Sequence, residues 1–149
     1  MENDLKYYVI DACALIAYFR GEEGGEKLRK LFKESQIKCY MHAANLGEVY
    51  YDSIRYSDKK YAKQLLEDVK KLPIHFIWNL DEDFIELLGE YKTTYSISYA
   101  DAFVLALAKR ENATIVTTDY HEFLPVEESG SLSFFWLRKK DEKEIQHIL

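Results

Sequence analysis

Very little in this sequence marks a specialised class of protein. Cys13 and Cys39 are the only cysteines in 149 residues. Two are too few for a disulfide framework, and they lack the paired spacing of a zinc site. Proline (2) and glycine (6) are scarce, which excludes a collagen-like chain and argues against a long disordered tract. Apolar runs such as Ala102 to Ala108 are far shorter than the about 20 residues that span a bilayer. The chain opens with Glu2, Asp4 and Lys6, not with the basic-then-apolar pattern of a secretory leader. No internal repeat or low-complexity tract is present. These absences predict a soluble cytoplasmic protein with reduced thiols and no membrane segment.

What remains is a globular composition, 48% hydrophobic and 31% charged. That is enough to bury a core within one domain spanning residues 1–149. The net charge of −6 speaks against a nucleic-acid binder, which usually shows a basic footprint. The charge is uneven, however. Glu26 to Lys38 holds five bases and two acids, Arg55 to Lys71 six bases and three acids, and Asp81 to Glu90 five acids and no base. Each stretch taken alone reads as a solvated helix face, yet local basic surfaces are possible on an acidic chain.

The hydrophobic pattern alternates strand with helix. Short β-branched and aromatic runs at Tyr7–Ile10, Ile37–Met41, Ile74–Ile77, Thr114–Thr117 and Ser133–Leu137 read as five strands. Amphipathic segments at Leu15–Arg20, Glu26–Ser35, Ala44–Tyr56, Asp58–Leu72, Asp81–Glu90 and Tyr99–Arg110 read as helices. The segment Tyr99–Arg110 has almost no polar face beyond Asp101 and is expected to be buried. The mixed-charge residues from Arg138 onward are expected to fray. Strands separated by helices call for parallel pairing. The predicted fold is therefore α/β: a three-layer α/β/α sandwich around a parallel sheet of about five strands.

In such a sheet, ligands bind at the carboxyl ends of the strands. Asp11 follows the first strand and Asp119 the fourth. Glu48 lies near the start of the helix after the second strand, and Asp101 at the start of the buried helix. Each has a local alternative. Asn45 and Glu48 fit a variant capping box, as do Ser98 and Asp101. Asp11 fits the cap of the following helix, and Asp119 a turn residue. Four acids at ligand-binding positions nevertheless suit one site, and capping does not exclude metal binding. Clustered carboxylates repel and raise one another's pKa, a cost that a cation relieves. Oxygen ligands without His or Cys favour Mg²⁺ or Mn²⁺ over zinc. The matching chemistry is metal-assisted phosphodiester hydrolysis.

Taken in order, Tyr8-Val-Ile-Asp11-Ala-Cys-Ala-Leu, Asn45-Leu-Gly-Glu48-Val, Tyr99-Ala-Asp101-Ala and Thr114-Ile-Val-Thr-Thr-Asp119 with Glu122-Phe123 resemble the PIN-domain ribonucleases. Within them they are similar to the VapC-type toxins of prokaryotic toxin–antitoxin pairs. The resemblance implies a PIN-like five-stranded parallel sheet and a Mg²⁺ or Mn²⁺ site. It implies endonucleolytic cleavage of RNA leaving a 5′-phosphate and a 3′-hydroxyl, a cognate antitoxin and a homodimer. By match to the motifs, Asp11, Glu48, Asp101 and Asp119 are the catalytic acids. Asp11, Asp101 and Asp119 are the metal ligands, Asp11 and Asp101 in direct contact and Asp119 through metal-bound water or a second ion, and Glu48 orients or deprotonates the attacking water. Thr117 and Asn45 are supporting residues.

One departure is that many members carry a hydroxyl or amide side chain after the first Asp, where this chain has Ala12-Cys13. Cys13 then reads as a small buried filler. Glu122 reads as part of a short helix before Pro125, and His42 and His121 as ordinary edge or surface histidines. The interleaved aromatics and bases from Tyr50 to Tyr61 read first as core and interface packing, second as RNA contacts. Competing phosphoryl-transfer readings fail on spacing. A haloacid-dehalogenase-type phosphatase needs an acid at position 13, and a receiver domain needs one directly after the third strand, where Trp78-Asn79 stands. The remaining alternative is a catalytically inactive PIN-like interaction module.

Overall fold

Five strands and seven helices succeed one another in the computed structural model, which describes residues 4–139. They are β1 (Lys6–Ile10), α1 (Ala12–Arg20), α2 (Gly25–Phe32), β2 (Ile37–His42), α3 (Ala43–Tyr56), α4 (Lys59–Val69), β3 (Ile74–Ile77), α5 (Glu82–Thr94), α6 (Tyr99–Glu111), β4 (Thr114–Thr117), α7 (Tyr120–Ser129) and β5 (Phe134–Trp136). Most of the tail predicted to fray, residues 140–149, lies outside the described residues.

All strands pair in parallel, in the order β3-β2-β1-β4-β5. The strand order reverses between β1 and β4, where Val9 sits opposite Ile115 and Ile10 opposite Val116. Crossovers between parallel strands are right-handed. The helices before β3 therefore cover one face of the sheet and those after it the other. Two cores follow. One joins Ile10, Leu15, Leu28, Met41, Val49 and Leu65 from β1, β2 and α1 to α4. The other joins Val9, Ile115, Phe84, Leu88 and Phe123 to α6 on the opposite face. From Asp101 to Ala108, α6 is buried throughout, as its lack of a polar face requires.

Several boundaries differ from the sequence reading, two of them through a local hydrogen bond. Helix α1 begins at Ala12 rather than Leu15, because the Asp11 side chain accepts from the Ala12 N–H and caps it. Helix α4 begins one residue later, with Asp58 outside as its cap. Helix α5 runs on to Thr94. Helix α7 runs through Pro125, whose ring faces solvent. The close packing of α1 on α2 depends on Gly25, where a Cβ would meet the Ala17 carbonyl oxygen at 2.6 Å.

Candidate functional site

The four acids come from four elements. Asp11 closes β1. It is 3% exposed and doubles as the cap of α1. Its Oδ1 accepts from the Ala12 N–H at 2.8 Å. Its Oδ2 accepts from the Thr117 hydroxyl at 2.8 Å and from the Cys13 thiol at 2.8 Å. The Asp11 N–H reaches the Val116 carbonyl at 3.0 Å, so the ends of β1 and β4 are stitched together beneath the carboxylate. Burial raises the Asp11 pKa and Asp119 raises it further, while the Cys13, Thr117 and Ala12 donors pull it back.

Thr117 is fully buried at the end of β4. Its oxygen accepts from the Asp119 N–H at 3.0 Å and donates its one hydrogen to Asp11. It therefore ties two of the acids together. Asp119 Oδ1 accepts from the Glu122 N–H at 3.1 Å and caps α7. Glu122 sits in the first turn of that helix at the rim, and its charge is felt by Asp101.

Glu48 stands near the start of α3, half-buried. Burial, then the charges of Asp11, Asp52 and Asp119, push its carboxyl up to about 7, against a hydrogen bond from Asn45. Asp101 lies in the first turn of α6, capped by Ser98, whose hydroxyl accepts from the Asp101 N–H at 3.0 Å. Burial first and Asp11 second push Asp101 up to about 7, with smaller contributions from Glu122 and Asp119. Both raised acids thus feel Asp11 and Asp119, and the four share one edge of the sheet.

Two sequence readings are corrected here. Asn45 is not the cap of α3. That role falls to His42, whose Nδ1 accepts from the Ala44 N–H at 3.0 Å while its Nε2–H donates to the Asn79 carbonyl at 3.0 Å. His42 is therefore a buried, neutral ring packed against Phe84 and Phe103 rather than a surface residue. Burial lowers its pKa. Asn45 is buried instead and donates to the Ala100 carbonyl at 2.9 Å, which locks the start of α3 to the start of α6. Cys13 is the second correction. It is no inert filler, since its thiol is a donor to Asp11 and lies 3.3 Å from the Thr117 oxygen. It restores the partner that its departure from the usual pattern had removed. Its position two residues beyond a strand-ending acid was the available signal.

Among the other candidates, His121 is exposed. Tyr51 and Tyr56 are exposed and lie beneath Arg55 and Arg20 rather than in the core. Among the described residues, no three His, Cys, Asp or Glu side chains close tightly enough to cage an ion by themselves. The donor set fits a hard divalent cation all the same. It is made of carboxylate oxygens that raise one another's pKa, and Mg²⁺ takes only one or two protein carboxylates and keeps its waters.

Solved structures of similar fold are toxin–antitoxin complexes among others. A toxin–antitoxin complex from Klebsiella pneumoniae aligns over 89% of this chain and 99% of its own, with 16% identity and a TM-score of 0.65. A VapBC complex from Rickettsia felis bound to a promoter DNA fragment aligns over 87% and 97%, with 18% identity and a TM-score of 0.68. A VapC toxin from Mycobacterium tuberculosis, described as cleaving the sarcin-ricin loop, aligns over 75% and 89%, with 14% identity and a TM-score of 0.61. No curated protein matches the sequence significantly. The family model of the PIN domain matches residues 8–126. That span runs from β1 into α7 and takes in all four acids, so the chain belongs to the PIN-domain family.

Proposed function

We propose that this chain is a metal-dependent endoribonuclease that hydrolyses RNA phosphodiester bonds, and that it is the toxin of a toxin–antitoxin pair. The observation that carries the proposal is electrostatic. Acids from β1, α3, α6 and the end of β4 are placed so that Glu48 and Asp101 are both pushed up to about 7. A bound cation would relieve the mutual repulsion of these acids. Asp11, Asp101 and Asp119 would hold Mg²⁺ or Mn²⁺. When bound, the ion neutralises these charges and polarises a phosphoryl oxygen.

The residues themselves divide the remaining work. Three donors fix the orientation of Asp11 and leave lone-pair capacity on Oδ1. Asn45 holds Glu48 and Asp101 in register by joining their helices. Glu48, beside the acids that would hold the ion, accepts the proton of the water that attacks phosphorus. The water oxygen bonds to phosphorus as the bond from phosphorus to the 3′-oxygen breaks, and the departing oxygen takes its proton from solvent. The products are a 5′-phosphate and a 3′-hydroxyl.

PIN domains are typically nucleases, and the toxin–antitoxin complexes of similar fold support an antitoxin as partner. Residues 1–149 are read as one such unit, acting as a homodimer in the cytoplasm. No helix among the described residues is long and apolar enough to cross a membrane. The test is cleavage of labelled RNA with Mg²⁺ or Mn²⁺, with chelator and a matched Asp101→Asn preparation as controls. Metal-dependent cleavage by the parent alone is expected. Equal cleavage by both would reject the assigned site. Failure of the parent to bind Mn²⁺ would leave the inactive interaction module.

A further inference from the structure

Strand β3 ends the sheet, and Trp78 follows directly on its carboxyl end. The indole is 73% exposed, more than any other large hydrophobic side chain among the described residues. It opens on a groove of about 830 Å³ between α4 and the edge strand. Leu46 and Phe76 stand in the wall with Trp78, and Lys59, Lys60 and Lys63 line it from α4. A lysine face runs against the net charge of the chain, which is −6. Lys70, further along the same helix, is matched by Glu67 at 3.0 Å. Lys59, Lys60 and Lys63 have no ion-pair partner among the described residues. Like charges four apart on a helix destabilise it, and Lys59 and Lys63 carry that cost unanswered.

The first turn of α3 joins this groove to the acids. Leu46, which lines the groove, lies two residues before Glu48 in that helix. Asn79, the residue after Trp78, accepts at its carbonyl from His42, the cap of the same helix, at 3.0 Å. Asn45, next to Leu46, donates to the Ala100 carbonyl in the first turn of α6, which carries Asp101. Tyr99, 56% exposed in that turn, is a second open ring at this end of the sheet.

We propose that the groove is a subsite for the unpaired RNA strand that runs on from the scissile phosphate, with a base stacked on Trp78 and neighbouring phosphates on Lys59, Lys60 and Lys63. The inference rests on RNA being the substrate and not on the metal. An unpaired strand repeats a flat ring and an anion at every nucleotide, so one ligand answers both the open indole and the unmatched lysines. Every base has a face to stack and every nucleotide a phosphate, so the subsite selects for unpaired RNA and not for a sequence. A duplex keeps its bases stacked on one another and has none to offer Trp78. An acidic peptide would answer the lysines but brings no ring at each step.

The test is binding of a fluorescein-labelled oligoribonucleotide, alone or annealed to its complement, in chelator so that the strand stays whole. Anisotropy reads affinity and tryptophan emission reads stacking. Each variant is checked for an unchanged circular dichroism spectrum. The single strand should quench the parent. The quenching should vanish in Trp78→Phe with most of the affinity kept, because the other tryptophan, Trp136, is already stacked on Tyr120. Trp78→Ala should bind about fivefold or more weakly. Lys59→Ser with Lys63→Ser should flatten the slope of log affinity against log salt by about 1.4, or about 0.7 for each lysine. The duplex should bind more weakly than the single strand. A parent that RNA does not quench overturns the proposal, as do variants that bind like the parent or a duplex that binds as well as the single strand. Quenching of Trp78 only by an acidic peptide, or by a rise in protein concentration alone, would overturn it in favour of a protein occupant. Stacking without any metal-dependent cleavage would keep the subsite and reject the nuclease. Metal-dependent cleavage with an unchanged KM in Trp78→Ala would do the reverse.

Discussion

Thr117 has one hydroxyl hydrogen and commits it to Asp11, while its oxygen serves the Asp119 N–H. Thr117→Val keeps the shape but takes a donor from buried Asp11 and leaves the half-buried Asp119 N–H without its acceptor. Leaving buried polar groups unpaired costs about 1–3 kcal/mol each, so urea denaturation should show a loss of about 2 kcal/mol or more. Thr117→Ser should lose less than half of that. Cys13→Ala removes a weaker donor from the same carboxylate, and about 1 kcal/mol is expected by the same measurement, largely recovered in Cys13→Ser. The importance of Asp11 was legible in the sequence because a strand ended in an acid. The role of Cys13 was not, because thiols usually fill space, and only the turn geometry puts this one over Oδ2.

At the scale of elements, the strands were legible to within a residue or two, since each is a short apolar run bounded by turn residues. Helix starts were harder to read, because side chains decide them. Asn45 has the chemistry of a cap, and so does His42. The chain chooses His42 because its ring packs against Phe84 and Phe103 with both nitrogens bonded. His42→Ala should therefore cost about 2 kcal/mol, combining a lost cap with lost ring packing. It should also speed hydrogen exchange in the first turn of α3, which hydrogen–deuterium exchange would register next to Glu48. The convergence of four acids was legible only as element ends. Their coupling required the strand order, with β1 beside β4, which no local pattern contains.

For the whole molecule, the acids set a dependence on pH. Glu48 rises from 4.5 to about 7 and Asp101 from 3.8 to about 7, both chiefly through burial. Between about 4 and 7 the folded chain therefore holds protons that the unfolded chain has released. Stability falls as pH rises through that window and levels off above it. Thermal melts in chelator should show this decline. Mn²⁺ should reverse it, with a larger rise in Tm at pH 8 than at pH 5, because ligands must be deprotonated to bind. Asp101→Asn should flatten the slope and, in chelator at pH 8, melt above the parent while failing to gain from Mn²⁺.

The bond from Thr117 to Asp11 joins residues 106 positions apart, and it has a consequence for synthesis. A nascent chain on the ribosome has its first acid early, yet β4 and Asp119 emerge only after most of the protein has been made. Until then Asp11 lacks its Thr117 donor, β1 lacks β4 beside it, and the fourth acid does not exist. Under the proposed function, an activity that needs Asp119 is withheld until β4 has left the ribosome, and a product terminated before that residue lacks the fourth acid.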